Sequence, residues 1–296
     1  MQTKNLAKII ALAFSEDKVF NDKTSDLSIP KNLQTSFVIK TREPIIFCGN
    51  EIIKQVYKQL KTFKKFRNSP LKLDFIAKDQ QNLKAKSVIA SGYGCARLIF
   101  ASERVILNFI QHLSGIATQT QKYVKALNNP DIAILDTRKT LPAYRHLQKY
   151  AVLCGGGKNH RFDLSERILI KDNHLANNNL TIEQLVKKIR KKAKDLLIEI
   201  ECDQHWQVVE AVKANVDIIM LDNMNNLQLL ESIKTIRSIN PKVIIEVSGG
   251  INLNNIKNYR ELDIDCISIG SLTHGVKAVD IGLDIENHNL KPEFRR

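Results

Sequence analysis

Six short apolar runs recur through the second half of the chain: IAIL (132–135), ILI (168–170), LLIEI (196–200), DIIML (217–221), VIIEV (243–247) and DCISI (265–269). Most are separated by segments with helical spacing, and they are rich in the branched residues that strands favour. Strands this apolar are buried on both faces, as happens when helices cover both sides of a parallel sheet. The pattern therefore predicts repeated β/α units. Parallel strands all point one way, so whatever follows each strand gathers on one rim. A β/α barrel carries its site on that rim, commonly with a phosphate site after the last two strands. An open doubly wound sheet also collects residues at strand ends and is the structural alternative. Six strands rather than eight point to an incomplete or irregular barrel.

The residues after these strands are polar. In order they are Asp136-Thr137-Arg138-Lys139, Lys171-Asp172-Asn173-His174, Glu201, Asp222-Asn223, Ser248-Gly249-Gly250 and Gly270-Ser271-Leu272-Thr273-His274. The stretch LCGGGKNHR (153–161) adds His160 and Arg161, delivered by three glycines that let the chain turn tightly. Arginine matches a planar carboxylate with a two-pronged hydrogen bond, and lysine serves phosphate as a point charge, so this rim suits a multiply charged anion. Ser248, Gly249, Gly250 and Gly270 would bring free backbone N–H groups close to a phosphate. Glu201 and Asp222 could hold Mg²⁺, or could simply neutralise neighbouring lysines. His160 and His174 lack a third nitrogen or sulfur ligand at zinc spacing, and Gly157-Lys158 is not part of a Walker A loop.

The first hundred residues read differently, with strands and turns in TSFVIKTREPIIFCGN (35–50) and SVIASGYG (87–94) and helices at 4–14 and about 50–66. A helix from about 103 to 127 should lead into the barrel. The opening NLAKIIALAF has the length of a signal-peptide core, but Lys8 interrupts it, and Leu6, Ile9, Ile10, Ala13 and Phe14 share one helical face. An amphipathic first helix is expected. No apolar run reaches the roughly 18 residues of a membrane span, so no membrane anchor is expected. Five widely spaced cysteines without a C-x-x-C pair argue against a disulfide framework or zinc ribbon and suit a reducing cytoplasm. Cys154 and Cys202 could be nucleophiles, though buried apolar packing is the commoner role of cysteine.

A formal charge of +14 implies attraction to polyanions or to small phosphorylated and carboxylated ligands. Lysine-rich stretches at 57–67 and 186–194 have the spacing of solvated helix faces, the second with a capping box at Thr181 and Gln184. A nucleic-acid binder would need a continuous basic face interleaved with aromatics. With aromatics at 6% and no such interleaving, nucleic acid is not expected as a partner.

The motifs ERVILNFIQHLSGIAT (103–118), DTRKTLPAYRHLQKYAVLCGGGKNHR (136–161), IKDNH (170–174), IEIE (198–201), MLDNM (220–224), EVSGGI (246–251) and SIGSLTH (268–274), in this order, resemble the quinolinate phosphoribosyltransferases. SEDKVFNDKTSD (15–26) is similar to that family's N-terminal acidic segment. The resemblance implies an N-terminal α/β sandwich domain (1–110, joined by the tail 275–296) and an incomplete, TIM-like β/α barrel (111–274) carrying the active site. It implies a pentosyltransferase that joins quinolinate to 5-phosphoribosyl-1-pyrophosphate with Mg²⁺, in NAD biosynthesis. The partnership it implies is a homodimer with shared sites, open to further assembly.

By the same resemblance Thr137, Arg138, His160, Arg161 and Lys171 grip the carboxylates of quinolinate, and Arg104 arrives from the neighbouring subunit. Lys139, Glu201 and Asp222 handle the phosphoribosyl donor and its Mg²⁺, and Ser248, Gly249, Gly250, Gly270 and His274 cradle phosphate. Lys139, Lys171, Glu201 and Asp222 are the expected catalytic set. A nicotinate phosphoribosyltransferase or a molybdenum-operon paralogue would share the barrel, but a ligand with one carboxylate needs fewer cations. Four positions depart from the family pattern, with Leu141 standing where threonine is usual and Asn21, Ala143 and Asp163 where glycine is.

Overall fold

The computed structural model describes residues 3–286. The strands along it are β1 (Gln34–Thr41), β2 (Ile45–Ile46), β3 (Leu71–Phe75), β4 (Asn82–Leu83), β5 (Val88–Cys95), β6 (Ala133–Leu135), β7 (Ile168–Ile170), β8 (Ile198–Cys202), β9 (Ile218–Asp222), β10 (Ile244–Ser248), β11 (Cys266–Ser268) and β12 (Ile281–Glu286). Two compact units form. One takes the described residues up to Gln119, Leu141–Gly155 and those from Gly275, and the other takes Thr120–Thr140 and Gly156–His274.

The first unit is built on an antiparallel sheet in the order β12-β1-β5-β3. β12 pairs with β1 from Ser36↔Glu286 to Thr41↔Ile281, so the chain after the barrel returns to this sheet; residues 287–296 of the expected tail lie outside the described residues. Helix Thr3–Glu16 buries Leu6, Ile10 and Phe14, four residues apart and hence on one face. Helix Asn50–Leu60 buries Ile52, Ile53, Val56, Tyr57 and Leu60 in the same way, and stops short of the expected 66. β3, LKLDF, was not anticipated, although its apolar and charged residues alternate as a half-exposed strand requires. The long helix covers Ala96–Leu127 and starts ahead of the expected 103, because no glycine or proline separates Cys95 from Glu103 and the Ser102 hydroxyl donates back to the Ile99 carbonyl at 2.7 Å instead of capping a new start.

Chain order placed 141–155 with the barrel, but it belongs to the first unit. Its helix Arg145–Cys154 buries Leu147, Ala151 and Val152. Gln148 Nε2 meets His112 Nε2 at 2.9 Å, and the Tyr150 hydroxyl donates to Asp79 at 2.7 Å.

The second unit is a six-stranded parallel sheet in the order β6-β11-β10-β9-β8-β7, an incomplete TIM-like barrel made by the six runs read from the sequence. Beside β6, Lys158 adds a parallel bridge to Leu135, with its N–H on the Ile134 carbonyl at 2.8 Å. Gly156, at φ +88°, makes the turn into this stretch, which is why a glycine is needed there. Helix Ile182–Lys192 starts with the expected capping box, Thr181 and Gln184 each accepting the other's backbone N–H, and its lysines are exposed. Among the described residues, no helix is long and apolar enough to cross a membrane.

Candidate active site

Side chains alternate along a strand, so every second residue of β7 to β10 faces the barrel interior. On this face lie Leu169 of β7 and, just past its end, Lys171, then Glu199 and Glu201, Met220 and Asp222, and Glu246 and Ser248. The register sets Glu201 and Glu246 on either side of Met220, and Ser248 beside Asp222. Two cavities open at this end of the barrel. One, of about 350 Å³, is lined by Arg138, His160, Arg161, Lys171, Glu201 and Glu246, among others. Its neighbour, of about 300 Å³, is lined by Gly249, Gly250, Gly270, Ser271 and His274. Thr137, Lys139, Asp222, Ser248 and Ser268 line both.

The floor of the first cavity is a buried charge network. His160 is held at its backbone by Asp136, whose Oδ1 accepts the His160 N–H at 2.9 Å. Its Nε2 lies 3.2 Å from Glu199 Oε1 and 3.4 Å from Glu246 Oε2. Glu199 also accepts from Arg167 Nη1 at 2.9 Å. Burial disfavours the imidazolium, but the hydrogen bonds and charges of the two glutamates outweigh it and raise the His160 pKa to about 9. Burial alone would raise the Glu199 carboxyl, and His160 and Arg167 overcome this and hold it below its ordinary value. Opposing protonation of His160, the Arg161 N–H is aimed at its Nδ1 at 2.8 Å, an arrangement that fits the Nε2–H tautomer.

Arg161 itself is buried, with one Nη donating to the Arg167 carbonyl at 2.8 Å. Its Nε–H, also buried, has no protein acceptor. Burial and the adjacent Arg138 charge depress its pKa, so the two arginines form a like-charge pair at the cavity wall. Nearer the rim, Lys171 donates to Glu201, and Asn223 Nδ2 donates to Asp222 at 2.6 Å. The Lys139 backbone is fixed from both sides, its N–H on the Thr137 hydroxyl at 3.0 Å and its carbonyl accepting from Thr273 at 2.7 Å. Gly249 has φ +90°, and a Cβ there would sit 2.2 Å from Asn223 Oδ1. Only glycine fits this approach.

The fold thus brings together thirteen of the fourteen residues singled out from the sequence. The exception is Arg104, which belongs to the other unit, exposed in a groove with Leu12, Asn108 and Tyr144. All five cysteines are buried, and neither Cys154 nor Cys202 lines either cavity, which removes the nucleophile alternative. Of the three departures from glycine, only Ala143 takes positive φ, at +62°. Asp163 instead accepts from the Ser165 N–H at 2.8 Å in a side-chain-closed turn. Sequence reasoning missed Glu199, Glu246 and Arg167. The signal was present in LLIEI and VIIEV, because an acid inside an apolar strand must have a buried partner.

Comparison with known proteins agrees with this geometry. Residues 22–114 match the quinolinate phosphoribosyl transferase N-terminal domain, and residues 116–284 match its C-terminal domain. The chain is 39% identical over 287 residues to a probable nicotinate-nucleotide pyrophosphorylase [carboxylating] of Methanocaldococcus jannaschii, covering 94% of this chain and 96% of the relative. It is 38% identical over 295 residues to one of Bacillus subtilis, covering 99% and 98%. The solved nicotinate-nucleotide pyrophosphorylase from Francisella tularensis superposes with a TM-score of 0.86 at 35% identity, over 97% of this chain and 98% of that one. With the barrel's strand-end residues on one rim and both domain matches in place, the chain belongs to the quinolinate phosphoribosyltransferase family.

Proposed function

We propose that the first cavity binds quinolinate, that its neighbour binds 5-phosphoribosyl-1-pyrophosphate, and that the chain joins them with loss of CO₂ and pyrophosphate to give nicotinate mononucleotide. The observation that carries this reading is that two arginines, buried Arg161 and half-buried Arg138, line the same cavity wall. Two guanidinium groups in one cavity wall favour an anion beside them, and quinolinate offers two adjacent carboxylates. Lys171 and the Thr137 hydroxyl complete the ring of donors, and His160, its Nε2 held by Glu199 and Glu246, shapes the wall beside them. Lys139 stands on the wall common to both cavities, where a point charge serves phosphate. Ser248, Gly249, Gly250, Gly270 and His274 take the remaining phosphate oxygens. Arg104, exposed on its own helix, serves a second copy of the chain in a homodimer. Five free cysteines suit a reducing cytoplasm.

Glu201 and Asp222 fit Mg²⁺, since both offer only oxygen, lie on neighbouring strands and line the cavity. Bound there, Mg²⁺ would offset charge on the departing pyrophosphate. The pyridine nitrogen forms its bond to ribose C1 as the C1–oxygen bond breaks. The resulting pyridinium accepts the electron pair of the carbon–carboxylate bond, CO₂ leaves, and a proton takes its place. The chain's task is to hold two mutually repelling anions in reacting order; like charges about 4 Å apart repel by roughly 4 kcal/mol at an effective dielectric near 20. The test is incubation of the purified chain with quinolinate, phosphoribosyl pyrophosphate and Mg²⁺. CO₂ and nicotinate mononucleotide should appear in equal amounts, and activity with nicotinate in place of quinolinate would contradict the assignment.

A further inference from the structure

Cys48, Asp79 and Cys154 are far apart in sequence, yet one ligand atom from each lies within 4.8 Å of the others. All three belong to the first unit, separate from the residues of the twin cavity. Cys48 precedes helix Asn50–Leu60 by two residues, and Cys154 ends helix Arg145–Cys154. Asp79 is already oriented. Its Oδ1 accepts the N–H groups of Gly49 at 2.8 Å and Asn50 at 3.0 Å, and its Oδ2 accepts the Tyr150 hydroxyl at 2.7 Å. A carboxylate offers about four lone-pair sites, so Oδ2 keeps one in reserve.

We infer that Cys48, Cys154 and Asp79 form a binding site for one soft divalent metal ion of the Zn²⁺ type. Two sulfurs and one carboxylate oxygen are a donor set that selects zinc-like ions over Mg²⁺ or Ca²⁺. Zn–S bonds of about 2.3 Å and Zn–O bonds of about 2.1 Å require the three atoms to draw together by about 1 Å at most. A water or the Tyr150 oxygen completes four-coordination, and half-buried Asp79 is the route of entry. Cysteine binds metal as the thiolate, so binding releases the thiol protons to solvent as two metal–sulfur bonds form. The ion would fasten the end of one helix to the start of another, immediately before the glycine turn that leads to His160.

Co²⁺ is the probe. Titrated into untagged, fully reduced protein, it should give one equivalent of tetrahedral visible bands with a thiolate-to-cobalt charge-transfer band, displaced by Zn²⁺. Oxygen-only ligands such as Glu201 and Asp222 give no such band. Cys48→Ser and Cys154→Ser should each abolish it, and Cys95→Ser should leave it unchanged. Cadmium NMR of the unaltered chain, whose chemical shift counts sulfur ligands, decides the matter should a serine variant fail to fold. Absence of the charge-transfer band, a band indifferent to Cys48→Ser, or a cadmium shift without two sulfurs would overturn the inference.

Discussion

Glu199→Gln tests the buried network beneath the proposed quinolinate cavity. The carboxylate is fully buried, with His160 Nε2 at 3.2 Å on one oxygen and Arg167 Nη1 at 2.9 Å on the other. Glutamine keeps the shape but has one acceptor and one NH₂ group, so one of the two donors must face another donor. Removing one partner of a buried ion pair costs about 3 to 5 kcal/mol, and the bond that glutamine retains brings this toward the lower end, about 3 kcal/mol. That is roughly a 150-fold fall in the folding equilibrium. Glu246 provides the contrast. It shares His160 at a longer 3.4 Å, and its Oε1 is buried without a hydrogen-bond partner. Glu246→Gln removes a poorly compensated charge and should cost under about 1 kcal/mol, or stabilise. Urea unfolding followed through Trp206, the chain's single tryptophan and part of the barrel unit, reports on the right unit. Because the Glu199 carboxyl is depressed, its contribution is present above the unfolded pKa and lost as pH falls through the folded one. The gap between wild type and Glu199→Gln should therefore narrow in acid. A Glu199→Gln cost within about 0.5 kcal/mol of zero, or below that of Glu246→Gln, would refute the reasoning.

Ala143→Gly should stabilise the protein by about 0.5 to 1 kcal/mol and raise Tm by about 2 °C, because relief of a left-handed alanine at φ +62° exceeds the added chain entropy. Calorimetry reads the shift directly. Gly249→Ala, whose Cβ would meet Asn223 Oδ1 at 2.2 Å, should weaken phosphoribosyl pyrophosphate binding by at least about tenfold. Gly250→Ala, with nothing within 4 Å, should cost mainly the left-handed backbone penalty, about 1 to 2 kcal/mol of stability. Titration by NMR should find His160 with a pKa near 9, moving down toward 6.5 in Glu246→Gln. Since that pKa is raised on folding, its stabilising contribution is complete below the unfolded value and disappears as pH rises through about 9.

Much of this site was legible because strand ends in a parallel sheet share one rim, and that rule needs only the apolar runs to be located. It found Lys171, Glu201, Asp222 and Ser248 without any knowledge of pairing. It did not reach Glu199, which lies two positions before the strand-end acid and whose partners, His160 and Arg167, come from the segment between β6 and β7. Nor could periodicity show that residues 141–155 leave the barrel, because the contacts responsible, such as Tyr150 with Asp79, span 71 positions of chain. The Cys48 and Cys154 pairing was hidden for the same reason.

The central claim, that Arg138 and Arg161 together demand a second carboxylate, is tested most directly by calorimetric titration with quinolinate and nicotinate side by side. A charge-assisted hydrogen bond worth about 1.5 to 3 kcal/mol predicts that quinolinate binds about 10- to 150-fold more tightly, with the difference collapsing in Arg161→Ala. Equal affinity for the two acids, or a preference for quinolinate that survives Arg161→Ala unchanged, would contradict it.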